Sequence, residues 1–105
     1  MSFHLSSSNI RVESHDGRTY LCAHMNGGGD DRMCLDDHIG NNDGHFAWNG
    51  NNFTRSARNV RFNLEGGANV PVLRAELRDS HDNWHDRDLN LAERITNHNG
   101  KLAYQ

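Results

Sequence analysis

Two segments of the chain, Thr19–Met25 and Val70–Leu77, alternate apolar and polar residues in the way that a half-buried β-strand requires. The residues of the apolar face are Leu21, Ala23 and Met25 in the first segment and Leu73, Ala75 and Leu77 in the second. A period of two over this length predicts strands with one face turned to a core.

Two further segments have the residues of tight hairpins. Asn42-Asp43-Gly44 and His98-Asn99-Gly100 each lie between apolar segments. Asp-Gly and Asn-Gly supply the positive φ angles that two-residue hairpin turns need. We therefore predict that His45–Trp48 and Lys101–Tyr104 are the strands that follow those turns.

A short helical turn is predicted before each hairpin. Leu35 and Ile39, like Leu91 and Ile95, are four residues apart and would share one face of a helix. The runs are too short for an α-helix, so 3₁₀ turns are favoured. Similar turns that lead into strands are predicted at Phe3–Asn9 and Phe53–Asn59. The fold class is therefore mainly β with short helical turns.

These elements recur because the sequence contains an internal repeat. Phe3–Val12 matches Phe53–Phe62 at an offset of 50, and Leu35–Trp48 matches Leu91–Tyr104 at an offset of 56. The second pair holds five identities in 14 positions, where random pairing would give about one. A repeat of about 50 residues predicts two supersecondary units, each too small to bury its own core. It also predicts two equivalent surface sites.

The copies differ in one loop. The interval from Met25 to Leu35 is four residues shorter than the matching interval from Leu77 to Leu91. The shorter loop, Asn26–Asp31, contains the triplet Gly27–Gly29, which predicts a flexible closure. The triplet is either natural or the remnant of a removed insertion, and both interpretations stay open here.

Composition indicates one small folded domain with a polar surface, spanning residues 1–105. Only 34% of the residues are hydrophobic, but net charge is −3 and eight aromatic residues occupy repeat-matched places, which argues against disorder. No basic block predicts nucleic-acid binding, and no long apolar run predicts a membrane span. The absence of a visible signal peptide favours a cytoplasmic, reduced protein with unpaired Cys22 and Cys34, non-classical secretion being the alternative.

The paired Leu-x-x-x-Ile-x-Asn-x-(Asp/Asn)-Gly-x-(Phe/Leu)-x-(Trp/Tyr) segments, followed by Asn51-Asn52-Phe53, resemble the cyanovirin-N homologue family of mannose-binding lectins. The resemblance extends from Phe3 to Tyr104 and is strongest to disulfide-free members from filamentous fungi. It implies an elongated pseudo-twofold domain in which the repeats 1–50 and 51–105 are intertwined, each contributing a three-stranded sheet, a hairpin and 3₁₀ turns.

The resemblance also implies how the chain is divided. One structural half would comprise about residues 1–38 with 91–105, and the other about residues 39–90. The four disulfide cysteines of the family's founding member align with Ser7, Met25, Ala57 and Leu77, so neither bridge can form. We expect Met25 and Leu77 to be core residues instead.

Family members bind α1-2-linked mannose in shallow polar clefts, where side-chain and backbone groups match the donors and acceptors of vicinal hydroxyls. Carried over residue by residue, the main site lies in the middle half. Its residues are Asn41, Asn42, Asp43, Asn51, Asn52, Arg55, Ser56, Asp79, Ser80 and Asp82. For Asp43 and Gly44, a purely structural role in the hairpin turn is an equal alternative.

A second, weaker site is implied in the terminal half. It falls on Ser2, Leu5, Ser6, Asn26, Gly27, Gly28, Asn97, His98 and Asn99. Leu5 stands where the other copy has Arg55, and the short glycine-rich loop removes one wall, so we expect weak binding or none. The expected partners are mannose-containing oligosaccharides or glycoproteins, without a cofactor. We expect a monomer with a flexible hinge near residues 49–52, a domain-swapped dimer being the alternative.

Three other functions are weighed against this one. His81-x-x-x-His85, in a predicted loop with acidic neighbours, is a weak zinc candidate. Adjacent acids could suggest a glycosidase, but turn carboxylates usually face solvent; the pairs are Asp30/Asp31, Asp36/Asp37 and Asp86/Asp88. We therefore predict no enzymatic activity. The third alternative is a structural domain without sugar binding.

Overall fold

The computed structural model describes residues 3–105, which form ten strands and four 3₁₀ turns. In the first copy the strands are β1 (Ser7–His15), β2 (Arg18–Met25), β3 (Gly29–Cys34), β4 (Ile39–Asn42) and β5 (His45–Trp48). In the second copy they are β6 (Ala57–Glu65), β7 (Val70–Arg78), β8 (Trp84–Asn90), β9 (Ile95–His98) and β10 (Lys101–Tyr104). The 3₁₀ turns are Phe3–Leu5, Leu35–Asp37, Phe53–Ser56 and Leu91–Glu93. The predicted strands and hairpins are confirmed. The turns predicted at Phe3–Asn9 and Phe53–Asn59 are shorter than expected, because they end at Leu5 and Ser56 and the remaining residues lead into or belong to β1 and β6.

The two copies are intertwined rather than side by side. Strands β1–β3 and β6–β8 form antiparallel three-stranded sheets, while β4–β5 and β9–β10 form two-stranded hairpins. Hairpin β4–β5 of the first copy contacts β8 of the second, and hairpin β9–β10 of the second copy contacts β3 of the first. The boundaries of the two halves near residues 38 and 90 stay a prediction.

One hydrophobic core draws on both copies in matched pairs. The buried residues are Phe3 with Phe53, Leu21 with Leu73, Ala23 with Ala75, Met25 with Leu77, Leu35 with Leu91, and Ile39 with Ile95, joined by Leu102. Burial of these side chains is the main force that holds the copies together. The domain is elongated, with extents of 45 × 28 × 22 Å.

Met25 and Leu77 are buried, as expected for residues in place of the family's cysteines. Met25 lies opposite Ser7 in the ladder between β1 and β2, and Leu77 lies opposite Ala57 between β6 and β7. Buried Met25 and Leu77 therefore each take one position of a cross-strand pair where a bridge would lie, opposite Ser7 and Ala57. The free thiols are elsewhere: Cys22 is buried, which raises its pKa, and Cys34 is half-buried.

Asn9 and Asn59 are the same residue in both copies for a structural reason that the sequence pattern did not reveal. Both adopt positive φ angles, 51° and 54°, at the points where the registers of the first and second sheets shift. Asn tolerates this left-handed conformation better than most residues, which suits it to a β-bulge. In each copy the following arginine, Arg11 or Arg61, donates to the Asn carbonyl oxygen at 3.0 or 2.9 Å.

Three sequence-based predictions need correction. Gly29, Asp30 and Asp31 belong to β3, so the predicted flexible loop Asn26–Asp31 is reduced to a tight turn over Asn26–Gly28. His85 and Asp86 lie in β8, outside the loop in which we placed them. The pair Asp36/Asp37 does not face solvent as a unit, because Asp36 is buried.

Gly28 lies in close backbone contact with Gly100 of hairpin β9–β10. A Cβ atom on Gly28 would lie 2.0 Å from the Gly100 carbonyl oxygen, so the two backbones must separate if a side chain is added. We expect Gly28→Ala to destabilise the domain by about 1–3 kcal/mol, the usual range for overpacking. Urea unfolding measures this.

Gly67→Ala is the matched control, because a Cβ at Gly67 meets nothing within 4 Å. Equal stability of the two variants would contradict the close packing of Gly28 on Gly100.

Among residues 3–105, no helix is long and apolar enough to cross a membrane.

Candidate functional site

The tip of hairpin β4–β5 is tied to the second sheet by Asn41. Its Nδ2 donates to Ser56 Oγ at 2.8 Å and to the Arg78 carbonyl oxygen at 2.9 Å. Its Oδ1 accepts from the Gly44 backbone N–H at 2.8 Å, across the hairpin turn. Both amide protons of Asn41 are therefore used, and the residue positions the hairpin against the ends of β6 and β7.

The turn itself reaches the loop between β7 and β8. Asp43 and Gly44 have φ angles of 50° and 87°, as the predicted two-residue turn requires. Asp43 Oδ1 accepts from the Ser80 backbone N–H at 2.8 Å, and this bond lowers the pKa of Asp43. The Gly44 carbonyl oxygen accepts from Arg87 Nε at 2.7 Å. The turn is thus held at two points, and Asp43 Oδ2 takes part in neither of these two bonds.

Asp79 organises the loop that Ser80 belongs to. Asp79 Oδ1 accepts from the backbone N–H groups of His81, at 2.8 Å, and Asn83, at 3.0 Å. Asp79 Oδ2 lies 2.7 Å from His85 Nε2. These interactions, the His85 bond first among them, lower the pKa of Asp79 to about 2. Asp79 therefore shapes the loop as a carboxylate.

The segment between the hairpin and β6 forms the third side of the site. Asn52 has a left-handed φ of 59°, and its N–H donates to the Asp36 carbonyl oxygen at 2.8 Å. This bend turns the chain into the 3₁₀ turn that carries Arg55 and Ser56. The Arg55 side chain is exposed, and its guanidinium has no hydrogen bond to the described residues.

The structure thus brings the ten predicted residues of the middle half to three adjoining segments, residues 41–44, 51–56 and 79–83. Hydrogen bonds from Asn41 to Ser56 and Arg78, and from Ser80 to Asp43, join these segments. Asn41, Ser56 and Asp79 are largely used in positioning. The exposed side chains, which retain free hydrogen-bonding capacity, are Asn42, Asp43, Asn51, Arg55, Ser80 and Asp82.

In the terminal half, Asn97 repeats hydrogen bonds that Asn41 makes in the middle half, but the polar cleft is not repeated. Asn97 Nδ2 donates to Ser6 Oγ at 3.0 Å, its Oδ1 accepts from Gly100 N–H at 2.9 Å, and Asn26 N–H donates to the Ser6 carbonyl oxygen at 3.0 Å. Where Asp43 binds Ser80, the side chain of the matching Asn99 is hydrogen-bonded only to His98 among the described residues, at 3.5 Å. Ser2 lies outside the described residues.

Backbone contact fills the space where a cleft would be in the terminal half. Gly28 packs on Gly100 there, and Leu5, which matches Arg55 of the middle half, is 68% exposed. An exposed apolar side chain offers a sugar hydroxyl no hydrogen bond. The geometry therefore favours the middle half over the terminal half as the polar site.

Sequence reasoning missed His85 and Arg87, which support the hairpin turn from β8. His85 entered the sequence analysis only as a zinc candidate, and neither residue was placed at the sugar site, because β8 is a strongly polar strand without apolar alternation. The register between β7 and β8 would have been needed to place them beneath the turn.

No three His, Cys, Asp or Glu side chains within residues 3–105 are grouped so as to hold a metal ion. His85, one of the two zinc candidates, is paired with Asp79 and packed against Gly44.

The comparisons with known proteins agree with this architecture. The family model described as the CVNH domain matches residues 3–103. This chain belongs to the CVNH family. A cyanovirin-N homolog from Neurospora crassa is 48% identical over 107 residues, covering 97% of this chain and 96% of the relative. A designed cyanovirin-N homolog lectin, solved by NMR, is 47% identical with a TM-score of 0.88 and full coverage of both chains.

Two solved CVNH-like structures contain a sugar. A variant of MoCVNH3, in complex with (N-GlcNAc)4, is 26% identical with a TM-score of 0.79, covering 98% of this chain and 96% of that one. A microvirin:mannobiose complex shares the fold at 24% identity and a TM-score of 0.82, covering 99% and 98%. The family is therefore one of lectins with carbohydrate-binding members, a non-enzymatic class.

Proposed function

We propose that this CVNH domain binds mannose-type glycans, α1-2-linked mannose in particular, at the site of the middle half. The observation that carries the proposal is the set of exposed hydrogen-bonding groups on three segments that other side chains hold together. Asn42, Asp43 Oδ2, Asn51 and Arg55 border the joined segments without being used to join them. A site fixed before the ligand arrives loses less conformational entropy on binding.

The chemistry of the exposed groups suits a neutral sugar. The two amides each offer donors and an acceptor, as a vicinal diol does. Asp43 is an acceptor and Arg55 a donor, and hydrogen bonds to charged groups are stronger than neutral ones. The expected glycan site is one per chain, so affinity for a single disaccharide should be modest, without the gain of about 10²–10⁴ that two simultaneous sites allow.

An NMR titration with an α1-2-linked mannose disaccharide tests the proposal. We expect saturable shifts of backbone amides in residues 41–44, 51–56 and 79–82, with smaller changes elsewhere. Parallel titrations with an N-acetylglucosamine oligomer and with cellobiose show whether the site selects mannose.

Shifts confined to Ser6, Asn26 and Asn97–Asn99 would move the site to the terminal half. Saturation by the N-acetylglucosamine oligomer alone would keep sugar binding but contradict mannose as the ligand. No saturable shift with any sugar would favour the structural domain, the second candidate function.

A further inference from the structure

The middle and terminal halves differ most clearly at His85. In the ladder between β7 and β8, His85 lies opposite Leu77. In the first sheet, Gly29 lies opposite Met25, which is the repeat partner of Leu77. The same place in the fold therefore carries an imidazole in the middle half and no side chain in the terminal half.

The imidazole of His85 lies between the hairpin turn and the loop. Its Cδ2 would lie 2.9 Å from a Cβ on Gly44, so the ring is packed against the backbone of the turn. Its Nε2 lies 2.7 Å from Asp79 Oδ2. One half-buried ring thus touches both walls of the proposed site, and Arg87, two residues further along β8, holds the Gly44 carbonyl oxygen.

The terminal half shows what the fold does without such a ring. There the loop is shorter, Gly29 replaces the histidine, and Gly28 and Gly100 meet backbone to backbone. A close-packed fold leaves few voids, so hairpin and loop meet where no side chain separates them.

We propose that His85 is a positioning residue that fixes the shape of the middle-half sugar site by packing its ring against the hairpin turn and orienting the Asp79 carboxylate of the Asp79–Asn83 loop. This inference rests on the proposed function. His85 acts through Asp79: the carboxylate it orients accepts from His81 N–H and Asn83 N–H, and that loop presents Ser80 N–H to Asp43. Loss of the ring should therefore move Ser80 and Asp43, two members of the proposed site.

The test compares three substitutions. His85→Gln keeps a donor near the place of Nε2, His85→Phe keeps the bulk without the donor, and His85→Ala removes both. With the mannose disaccharide as ligand, we expect His85→Ala to raise Kd at least about tenfold, the effect of losing roughly one charge-assisted hydrogen bond, and His85→Gln to stay within about threefold of wild type. His85→Phe should fall between them.

A readout in sugar-free protein separates positioning from general destabilisation. The pKa of Asp79, about 2 with His85 present, should rise toward its ordinary value of 3.8 in His85→Ala and His85→Phe. Other charged or titratable groups lie near this loop and remain in each variant; they include Asp43, His45, Arg78, His81, Asp82 and Arg87. Exchange of the Ser80 amide proton should accelerate in the same variants.

His24→Ala is the matched control, because His24 Nδ1 also pairs with a carboxylate, Asp30, at 3.0 Å but on an exposed surface of the other half. It should leave Kd unchanged. A folded His85→Ala variant that binds within twofold of wild type would overturn the inference. If His85→Ala does not fold, binding by His85→Phe as tight as that by His85→Gln would overturn the Asp79 role.

Failure of the proposed function looks different from failure of this inference. If the proposed function is wrong, the wild-type protein itself does not bind the disaccharide, and His85 then has no role in sugar binding. An Asp79 pKa that stays near 2 in all three variants contradicts the positioning role whether or not sugar binds.

Discussion

Asp36→Ala is expected to lower the free energy of unfolding by about 2–5 kcal/mol. The buried Asp36 carboxylate accepts from Thr19 N–H at 2.7 Å, from Thr54 N–H at 2.9 Å and from Thr54 Oγ1 at 2.7 Å. Without it, two backbone N–H groups lose their partners, and each buried unsatisfied group costs about 1–3 kcal/mol. Since a domain of this size is stable by only about 5–15 kcal/mol, the loss is a large fraction of the total. Equilibrium urea unfolding measures it.

Asp37→Ala is the matched control, because Asp37 is the exposed neighbour and makes only a surface ion pair with Arg18 at 2.6 Å. Surface pairs contribute about 0–1 kcal/mol, so the control should change stability little. Asp36→Asn should also destabilise, since its NH₂ group would face a donor. Equal unfolding midpoints for the two alanine variants would show that the carboxylate network does not stabilise the domain.

The Asp36 network joins elements that are distant in sequence. Thr19 lies in β2, and Thr54 lies in the 3₁₀ turn of the second copy. The Asp36 carbonyl oxygen also accepts from Asn52 N–H at the start of that turn. The segment that we predicted to be a flexible hinge is therefore tied down, with Gly50 also packed closely on Gly40.

The network exists once because the repeat is imperfect. At the matching positions the other copy has His4, Pro71 and Ala92. Pro71 has no N–H to donate, Ala92 has no acceptor, and His4 Nδ1 is a buried atom without a hydrogen bond among the described residues. The two copies therefore share the same framework, but they differ in their polar contacts.

Sequence predicted those parts of the fold in which each residue has one dominant requirement. Leu21 and Leu73 had to face a core, and Asp43-Gly44 had to form a tight turn. The residue pattern did not locate β3 and β8, although the family resemblance implied a third strand in each sheet, because Asp30 and Arg87, like most of their neighbours, are polar residues on strands that contribute little to the core. Burial of Asp36 was missed because its partners, two backbone N–H groups and the Thr54 hydroxyl, lie 17 and 18 residues away in the sequence, and no local pattern reports them.

The same reasoning explains what could be predicted of the site. Family resemblance placed ten polar residues, and the fold brings their three segments together. It did not separate residues that build the walls, such as Asn41, from residues left exposed, such as Asn42. That distinction depends on hydrogen bonds between distant segments, of which Asn41 to Arg78 is one.

Arg55→Ala is expected to weaken binding of the mannose disaccharide about ten- to hundredfold. A hydrogen bond that involves a charged group contributes about 1.5–3 kcal/mol, and 1.4 kcal/mol corresponds to a factor of ten in Kd. Arg55 is exposed and makes no side-chain hydrogen bond to the described residues, so its removal should leave the fold intact. Isothermal titration calorimetry or the NMR titration measures Kd, and urea unfolding checks stability in the same preparation.

Arg61→Ala is the matched control for Arg55→Ala. Arg61 is also an exposed arginine in the second copy, and its guanidinium donates to the Asn59 carbonyl oxygen on the sheet. Its removal should leave Kd unchanged.

Leu5→Arg puts an arginine at the matching position of the terminal half, but the Gly28–Gly100 contact still fills the cleft, so we expect no second site. A gain of a second site in Leu5→Arg would show that the missing side chain, and not the closed backbone, silences the terminal half.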